Sequence, residues 1–495
     1  MRNHTALYFL FRIGSGLASL ASLALLTRLL TPEQYGGYAL GVSFMSACAA
    51  IFFQWVNIAL GRNYPNAAYS KIEVIKTAHV CLAAAAAILL AASCLGLTLG
   101  LSPKGYSWAF AILLVVGAMA QGLYALHAQI LNSAGLPIRF GVLALLKTSL
   151  AAALAIAAAY LGGNLNVILF GVVMGTMASL LIAGHWHVLL AHQPLLDIKQ
   201  KSLQFARFGI PISLNFVAVA LVDTADRFIL AYHYGTPAVG AYAAAFEFTQ
   251  LTLGATLSVL YTAAYPKIVA LWEGNEKRQA TQAIARLQCL VIVTAGCACT
   301  AFISLRHEIA HSLFPQWANN DAADNAIPLI CIAVALNGMR AFLVDIPLHL
   351  HKASAKHLFS LACMAIANLG LNLLLIPLYG PVGAALATAI GFASSLILSA
   401  RVGIQTGLLK NIYKDIFQCA LCVFIALMLN YLISQAINRD SSPLEWHQSA
   451  LEVIGNIFTF SLAALCLNTA NIRCTVGVIS WKSFFSKNQS LPQKV

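Results

Sequence analysis

Residues 28–40 read Arg28-Leu29-Leu30-Thr31-Pro32-Glu33-Gln34-Tyr35-Gly36-Gly37-Tyr38-Ala39-Leu40. This stretch closes one apolar segment and opens the next. An arginine ends a run of apolar and small residues long enough to cross a bilayer, for which roughly 20 residues suffice. Thr31-Pro32-Glu33 then makes a short loop, with proline where a helix starts readily. The aromatic-glycine signature Tyr35-Gly36-Gly37-Tyr38 follows. A related pattern returns near the middle of the chain: Asp226-Arg227, a run to Gly235, then Gly240-Ala241-Tyr242. Each copy follows the first apolar segment of a half. The chain therefore reads as two related halves, each a bundle of membrane helices.

Composition points the same way. Of 495 residues, 60% are hydrophobic and 9% are charged, with mean hydropathy +0.80. Water-soluble chains carry roughly 25% charged residues, so this chain cannot cover itself against water. The composition weighs against a soluble enzyme. Met1 to Thr5 is short and polar, and the apolar segment from Ala6 to Leu30 is too long for a cleavable signal core of about 7–15 residues. It is expected to stay as the first span.

Fourteen spans are expected: 7–30, 37–60, 78–101, 108–131, 140–161, 165–190, 208–232, 241–264, 287–305, 326–349, 358–377, 380–402, 413–434 and 451–470. Helix-breaking residues divide the longest apolar runs at Gly162-Gly163 and at Tyr379-Gly380. With the N-terminus in the cytoplasm, twenty-two Lys and Arg fall on the cytoplasmic side and four, Arg28, Lys104, Arg306 and Arg439, on the other. Lys147, Arg227 and Arg340 lie within spans. Such asymmetry sets orientation. It also accounts for the net charge of +13 as basic loops facing anionic lipid. No nucleic-acid partner is called for. No loop is long enough for a separate domain, and no phosphate-cradling GxxxxGK[ST] loop occurs, so transport would have to run on a gradient.

The halves repeat beyond the opening motif. Gly135-Leu136-Pro137, a long apolar run and Tyr160-Leu161-Gly162-Gly163 precede a helix with Gly171 and Gly175. In the second half, Ser354-Ala355-Lys356, a long apolar run and Leu378-Tyr379-Gly380 precede a helix with Gly383 and Gly391. The expected fold is an all-α polytopic membrane protein. An N-terminal bundle (1–205) and a C-terminal bundle (206–405) are related by a pseudo-two-fold along the membrane normal, an arrangement used by transporters that rock one bundle against the other. An added helix pair (406–470), whose cores lack ionisable groups, and a cytoplasmic tail (471–495) follow.

Charges at membrane depth cost several kcal/mol and mark interior partners or substrate paths. The candidates are Arg12 and Arg28 on the first helix, Lys147 on the fifth, Asp223, Asp226 and Arg227 on the seventh, Glu247 on the eighth, and Arg340 and Asp345 on the tenth. Asp223 and Arg227 are four apart, acid first, and can pair along one helix face. Arg12 and Arg28 lie about 24 Å apart along a helix, near opposite ends, where arginine can snorkel to the interface. Arginine also suits phosphate through its fork of donors. Arg28 echoes the arrangement of Arg227 in the other half. Lys147 has no acid within one turn, so it faces a cavity or pairs across helices. Arg340 and Asp345 are five apart and point to different sides of an α-helix, so each needs its own partner. Together these charges sum to about +1.

Cysteine and histidine suggest no metal site and no cofactor. The twelve cysteines are scattered, Cys419-x-x-Cys422 has no neighbouring ligand cluster, and the histidines of His185/His187 and His349/His351 diverge on a helix. Pro211, Pro328 and Pro347 mark places where helices can bend.

The motif RLLTPEQYGGYAL after an apolar first helix, the stretch DRFILAYHYGTPAVGAYAAA opening the second half (Asp226–Ala245), and the fourteen-helix pattern resemble the multidrug/oligosaccharidyl-lipid/polysaccharide exporter superfamily. More narrowly, they resemble its polysaccharide transporter branch, the Wzx-type O-antigen flippases. That resemblance implies a bacterial inner-membrane flippase with both termini cytoplasmic. It would turn an undecaprenyl-diphosphate-linked O-antigen or capsule repeat unit from the cytoplasmic to the periplasmic leaflet by gradient-coupled alternating access. It implies the lipid-linked oligosaccharide and the bilayer as partners, with a polysaccharide polymerase and chain-length proteins beside them. Arg28, Arg227, Lys147, Arg340 and Arg12 would then meet the diphosphate. Asp223, Asp226, Glu247 and Asp345 would serve ion coupling or switching. Only Arg28 and Asp226-Arg227 sit in recognisable motifs; the others rest on the membrane-charge argument. By analogy with lipid II flippases, the last two helices would offer a groove to the polyprenyl tail.

Two rivals stand beside it. A drug or cation exporter of the same superfamily would want a cavity of acids and aromatics, against which Arg28, Lys147, Arg227 and Arg340 argue. A membrane polymerase or ligase would need a sizeable outer loop, and only 306–325, with Arg306, His307, Glu308, His311, Asp321 and Asp324, is polar enough.

Overall fold

The computed structural model describes residues 2–65, 70–99, 108–184, 198–313, 321–409, 411–436 and 446–466. Among them every regular element is a helix. His185, His187, Lys104, Arg439 and the tail 471–495 lie outside the described residues. Ten helical lengths are long and apolar enough to cross a membrane. Large apolar side chains point outward along them, Ile88, Leu181, Ile366 and Phe424 among them. A soluble monomer does not expose apolar surface on this scale; lipid accepts it.

The chain opens with α1 (Arg2–Leu29) and α2 (Pro32–Phe52). Thr31 separates them as a capping box. Its hydroxyl accepts from the Gln34 N–H, the Gln34 side chain accepts from the Thr31 N–H, and Pro32 takes the first helical position. This satisfies N–H groups that a helix start leaves without partners. Phe53 interrupts the next stretch before α3 (Gln54–Asn63). Then come α4 (Lys71–Thr98), α5 (Trp108–Ser133), α6 (Pro137–Tyr160) and α7 (Leu165–Ala183). The expected division at Gly162-Gly163 is present: Gly162 takes φ +72° and Asn164 caps α7.

The next element, α8 (Ile198–Thr249), holds two arms. Gly235, at φ +77° and ψ 178°, breaks it in a region of backbone space essentially closed to other residues. A π-turn (Gln250–Gly254) leads into α9 (Ala255–Glu273), followed by α10 (Lys277–Ser304), α11 (Arg306–Leu313) and α12 (Asp321–Met339). A second π-turn (Arg340–Val344) joins α12 to α13 (Ile346–Leu350). The long α14 (Ser354–Gln405) is broken at Gly380, with φ +56°, beside the expected division. The chain continues in α15 (Ile412–Ala436) and α16 (Trp446–Cys466).

These helices gather into two compact units. The first holds Met1–Leu251, Ala310–Ile330 and Leu358–Gly391; the second holds Thr252–Ile309, Cys331–His357 and Phe392–Val495. In the first, α7 lies on α6 almost without side chains between them. A methyl added at Gly175 would sit 2.4 Å from the Ala151 nitrogen, and one at Gly171 would sit 2.9 Å from Leu154 backbone. The two arms of α14 repeat the device, with Gly383 on the Leu375 carbonyl and Gly391 against Asn368. Small residues of this kind let membrane helices approach closely. In the second unit α15 and α16 pack on α10, where Gly296 fits against Phe460 and Cys419. Asp415, in the first turn of α15, is buried and accepts from Gln288 at 2.6 Å. The last helix pair therefore brings a carboxylate into the packing, against the expectation of cores without ionisable groups.

A close helix crossing joins the two copies of the opening motif. A methyl at Gly36 would fall 1.9 Å from the Thr236 carbonyl oxygen, and one at Gly240 would fall 2.4 Å from the Pro32 carbonyl oxygen. Each glycine thus rests on the carbonyl four residues before the other.

Candidate functional site

The Gly36–Gly240 crossing sets α2 against the second arm of α8, and the Gly235 break folds that arm back along the first. In a straight helix, Arg227 and Glu247 would stand about 30 Å apart. Here the Arg227 Nη1 donates to Glu247 Oε1 at 3.1 Å and to the Ser43 hydroxyl of α2 at 2.7 Å. Glu247 Oε2 in turn accepts from the Tyr35 hydroxyl at 3.0 Å. Asp226 is tied separately: Oδ1 accepts from the Arg227 backbone N–H and Oδ2 from the Tyr242 hydroxyl at 2.6 Å. Tyr35 and Tyr242, the aromatics of the two motif copies, thus each hold one carboxylate.

This cluster contains one guanidinium and two carboxylates. Arg227 is only 8% exposed and Asp226 only 3%, so water contributes little to holding them. Behind Tyr242 the polar chain goes on through Thr388 to Asn368, which bonds Thr388 at 3.2 Å, and to Asn372, which bonds Asn368 at 3.0 Å.

A second cluster lies within the other unit. The second π-turn brings Arg340 and Asp345 together: the Asp345 N–H bonds the Arg340 carbonyl, and the Arg340 Nη1 bonds Asp345 Oδ2 at 2.8 Å. Five residues diverge on an α-helix, but the i to i+5 bond of a π-turn adds a residue to the turn and realigns them. The separate partners expected for this pair are therefore replaced by a direct ion pair. Arg340 Nη2 also bonds Asn337 at 2.7 Å. His357 Nε2 reaches the same Asp345 oxygen at 3.4 Å, and its ring meets His349 edge-on at 5.1 Å.

The remaining candidates stand elsewhere. Lys147 lies 5.2 Å from the centre of the Tyr124 ring, a cation–π contact between α6 and α5. Arg12, Arg28 and Asp223 are exposed. The Asp223–Arg227 pair offered by helix spacing gives way to the pairing with Glu247. Arg28 and Arg227 do not share a setting: one is exposed three residues before Thr31, the other buried eight residues before Gly235. Ser43, Tyr35, Tyr242 and His357 complete the clusters, and charge-based reading passes over all four. The tyrosines were visible in the repeated motif; Ser43 carried no signal. Among the described residues no group of His, Cys, Asp and Glu is placed to hold a metal.

The sequence matches the polysaccharide biosynthesis protein family over residues 25–317, more than half its length. The chain belongs to that family. No curated protein matches the sequence. Among solved structures, the fold is similar to a lipid II flippase MurJ in an inward closed conformation (TM-score 0.74, 15% identity), covering 94% of this chain and all of that one. It is also similar to an inward-facing MATE-family multidrug transporter of the MOP superfamily (TM-score 0.58, 14% identity), covering 79% of this chain and 95% of the other. A Vibrio cholerae MATE transporter gives TM-score 0.51 at 15% identity, over 83% of this chain and all of that one. The expected all-helical membrane architecture holds, in a fold shared with these transporters.

Proposed function

We propose that this member of the family is a flippase. It turns an undecaprenyl-diphosphate-linked oligosaccharide, an O-antigen or capsule repeat unit, from the cytoplasmic to the periplasmic leaflet of a bacterial inner membrane. The observation that carries the reading is the family match, made by a chain with the fold of a flippase. A diphosphate and a glycan cannot cross hydrocarbon unaided, because burying a charge without a partner is prohibitive. Alternating access between bundles 1–205 and 206–405, with helices 406–470 added and both termini cytoplasmic, would expose the same cations to each leaflet in turn.

The paired arginines supply the switch in this scheme. Arg227 and Arg340 are held by Glu247 and Asp345. An incoming diphosphate competes for the same forks of donors, because arginine binds phosphate as well as carboxylate. Displacing Glu247 frees it to Tyr35 and loosens α2 from the second arm of α8. Lys147, Arg12 and Arg28 would meet the diphosphate along its path. Asp223, Asp226, Glu247 and Asp345 would answer the driving ion gradient. A polymerase and chain-length proteins would receive the product.

Complementation tests the proposal in a strain lacking its own flippase for a known repeat unit. The parent is expected to restore surface polysaccharide, while Arg227→Ala and Arg28→Ala fail at equal membrane abundance. A parent that restores nothing with an intact donor pathway overturns the reading. The likeness to MATE transporters and the two carboxylates around Arg227 favour the rival, a drug or cation exporter, which an efflux assay on the same strain would then detect.

A further inference from the structure

The cluster at the second π-turn holds a group, His357, that the flippase scheme leaves idle. Asp345 is 2% exposed, yet a single oxygen, Oδ2, serves both Arg340 and His357. Ser399 lies against this carboxylate, and Oδ1 still finds no hydrogen bond of ordinary geometry; Arg340 Nε is also buried without a partner. The pair is therefore undersatisfied, in a place where such groups are costly. Among the described residues, aromatic and basic groups surround His357. His349 of α13 lies edge-on to it, and His349 also meets Tyr265 of α9 at 6.5 Å between ring centres. Tyr261, stacked on Tyr265, completes the wall. Lys352 and Lys356 are exposed beside it.

We infer that Asp345 and His357 form a proton-binding site that drives the transport cycle, with Arg340 as the group they trade. The inference rests on the transporter reading. Histidine is the side chain whose ordinary titration spans pH 5 to 8. A metal cation does not suit the place, because a guanidinium already sits 2.8 Å from the shared oxygen and would repel it. A proton suits it. With His357 neutral, Asp345 belongs to Arg340 and the charges cancel. With His357 protonated, the imidazolium competes for Oδ2 and the cluster gains one positive charge. Arg340, still held by Asn337 through Nη2, is then free to turn Nη1 to an anionic substrate. The element that moves is the π-turn, a local under-wound segment that can relax to α-helix by passing on its extra residue. On the orientation read from the basic loops, the Lys352–Lys356 end faces the cytoplasm, the side on which an inward-moving proton is released.

Two measurements on the full-length chain decide it. In lipid nanodiscs, with histidine isotope-labelled, NMR from pH 5 to 8 should show one titrating histidine signal that is missing in His357→Gln. In Asp345→Asn that signal should titrate at a different pH. If no titrating signal is lost in His357→Gln, the site is overturned. In the complementation strain, His357→Gln should lower surface polysaccharide at least tenfold at equal membrane abundance. His357→Asn guards against misfolding: it should behave like the glutamine variant while eluting as the parent does in gel filtration. Full rescue by a variant that has lost the signal overturns the coupling role. If the parent itself fails to rescue, the flippase reading falls, while the NMR arm still decides the proton site.

Discussion

Arg227 owes its place to two partners that approach from different elements. Replacing it with alanine strands Glu247 and Ser43 together, and hydrogen bonds to charged groups are worth about 1.5–3 kcal/mol. Arg227→Ala is expected to lower the thermal midpoint of the purified protein, measured by fluorescence-detected gel filtration. Arg227→Lys should recover only part, since an ammonium is more strongly hydrated than a guanidinium and costs more to bury here. Tyr35→Phe keeps the ring and loses one bond to Glu247, so a loss of about 1 kcal/mol is expected. The sequence announced Arg227, Glu247, Arg340 and Asp345 through the cost of charge in lipid, but not their pairings. Glu247 stands twenty residues from Arg227, and only a break at Gly235 makes them neighbours. The Arg340–Asp345 pair needed a π-turn that no spacing rule foresees. His357 was hidden because it looked like part of a basic loop.

Helices here are joined by glycine in two ways, and the two give different predictions. Gly235 is required for its backbone angle. Gly235→Ala should cost about 1–3 kcal/mol, the usual cost of such strain, and reduce membrane abundance modestly. Gly36 is required for the room it leaves: an added methyl meets the Thr236 carbonyl, and backbone cannot step aside as a side chain does. Gly36→Ala should therefore reduce folded protein more severely than Gly235→Ala. Gly16→Ala, with nothing within 4 Å of the new methyl, should leave it unchanged. Western blots of membrane fractions separate the three. At this scale the sequence was most legible. The breaks near Gly162 and Gly380 followed from glycine in long apolar runs, and Thr31-Pro32 fixed a capped helix start. The closeness of Gly36 to Gly240 was not legible, because a motif repeated in sequence carries no notice that its copies touch.

For the whole molecule, α15 and α16 belong to the packing of the second unit. Gln288 donates to Asp415 and Asn456 donates to Ser304 at 2.8 Å, and polar links of this kind hold membrane helices together. A chain ended after Gln405 should accumulate poorly in the membrane; normal abundance would make the pair dispensable to folding. The contact between Gly36 and Gly240 carries a consequence of another kind. Residue for residue it is self-complementary, which is how two copies of one chain meet about a two-fold axis. Inside a single chain, a contact of this kind is what joining two self-pairing half-length copies end to end would leave as a seam. The seam should still work when the tether is cut. Segments 1–190 and 191–495, made as separate chains in one cell, should co-purify, and Gly240→Leu in the second segment should part them.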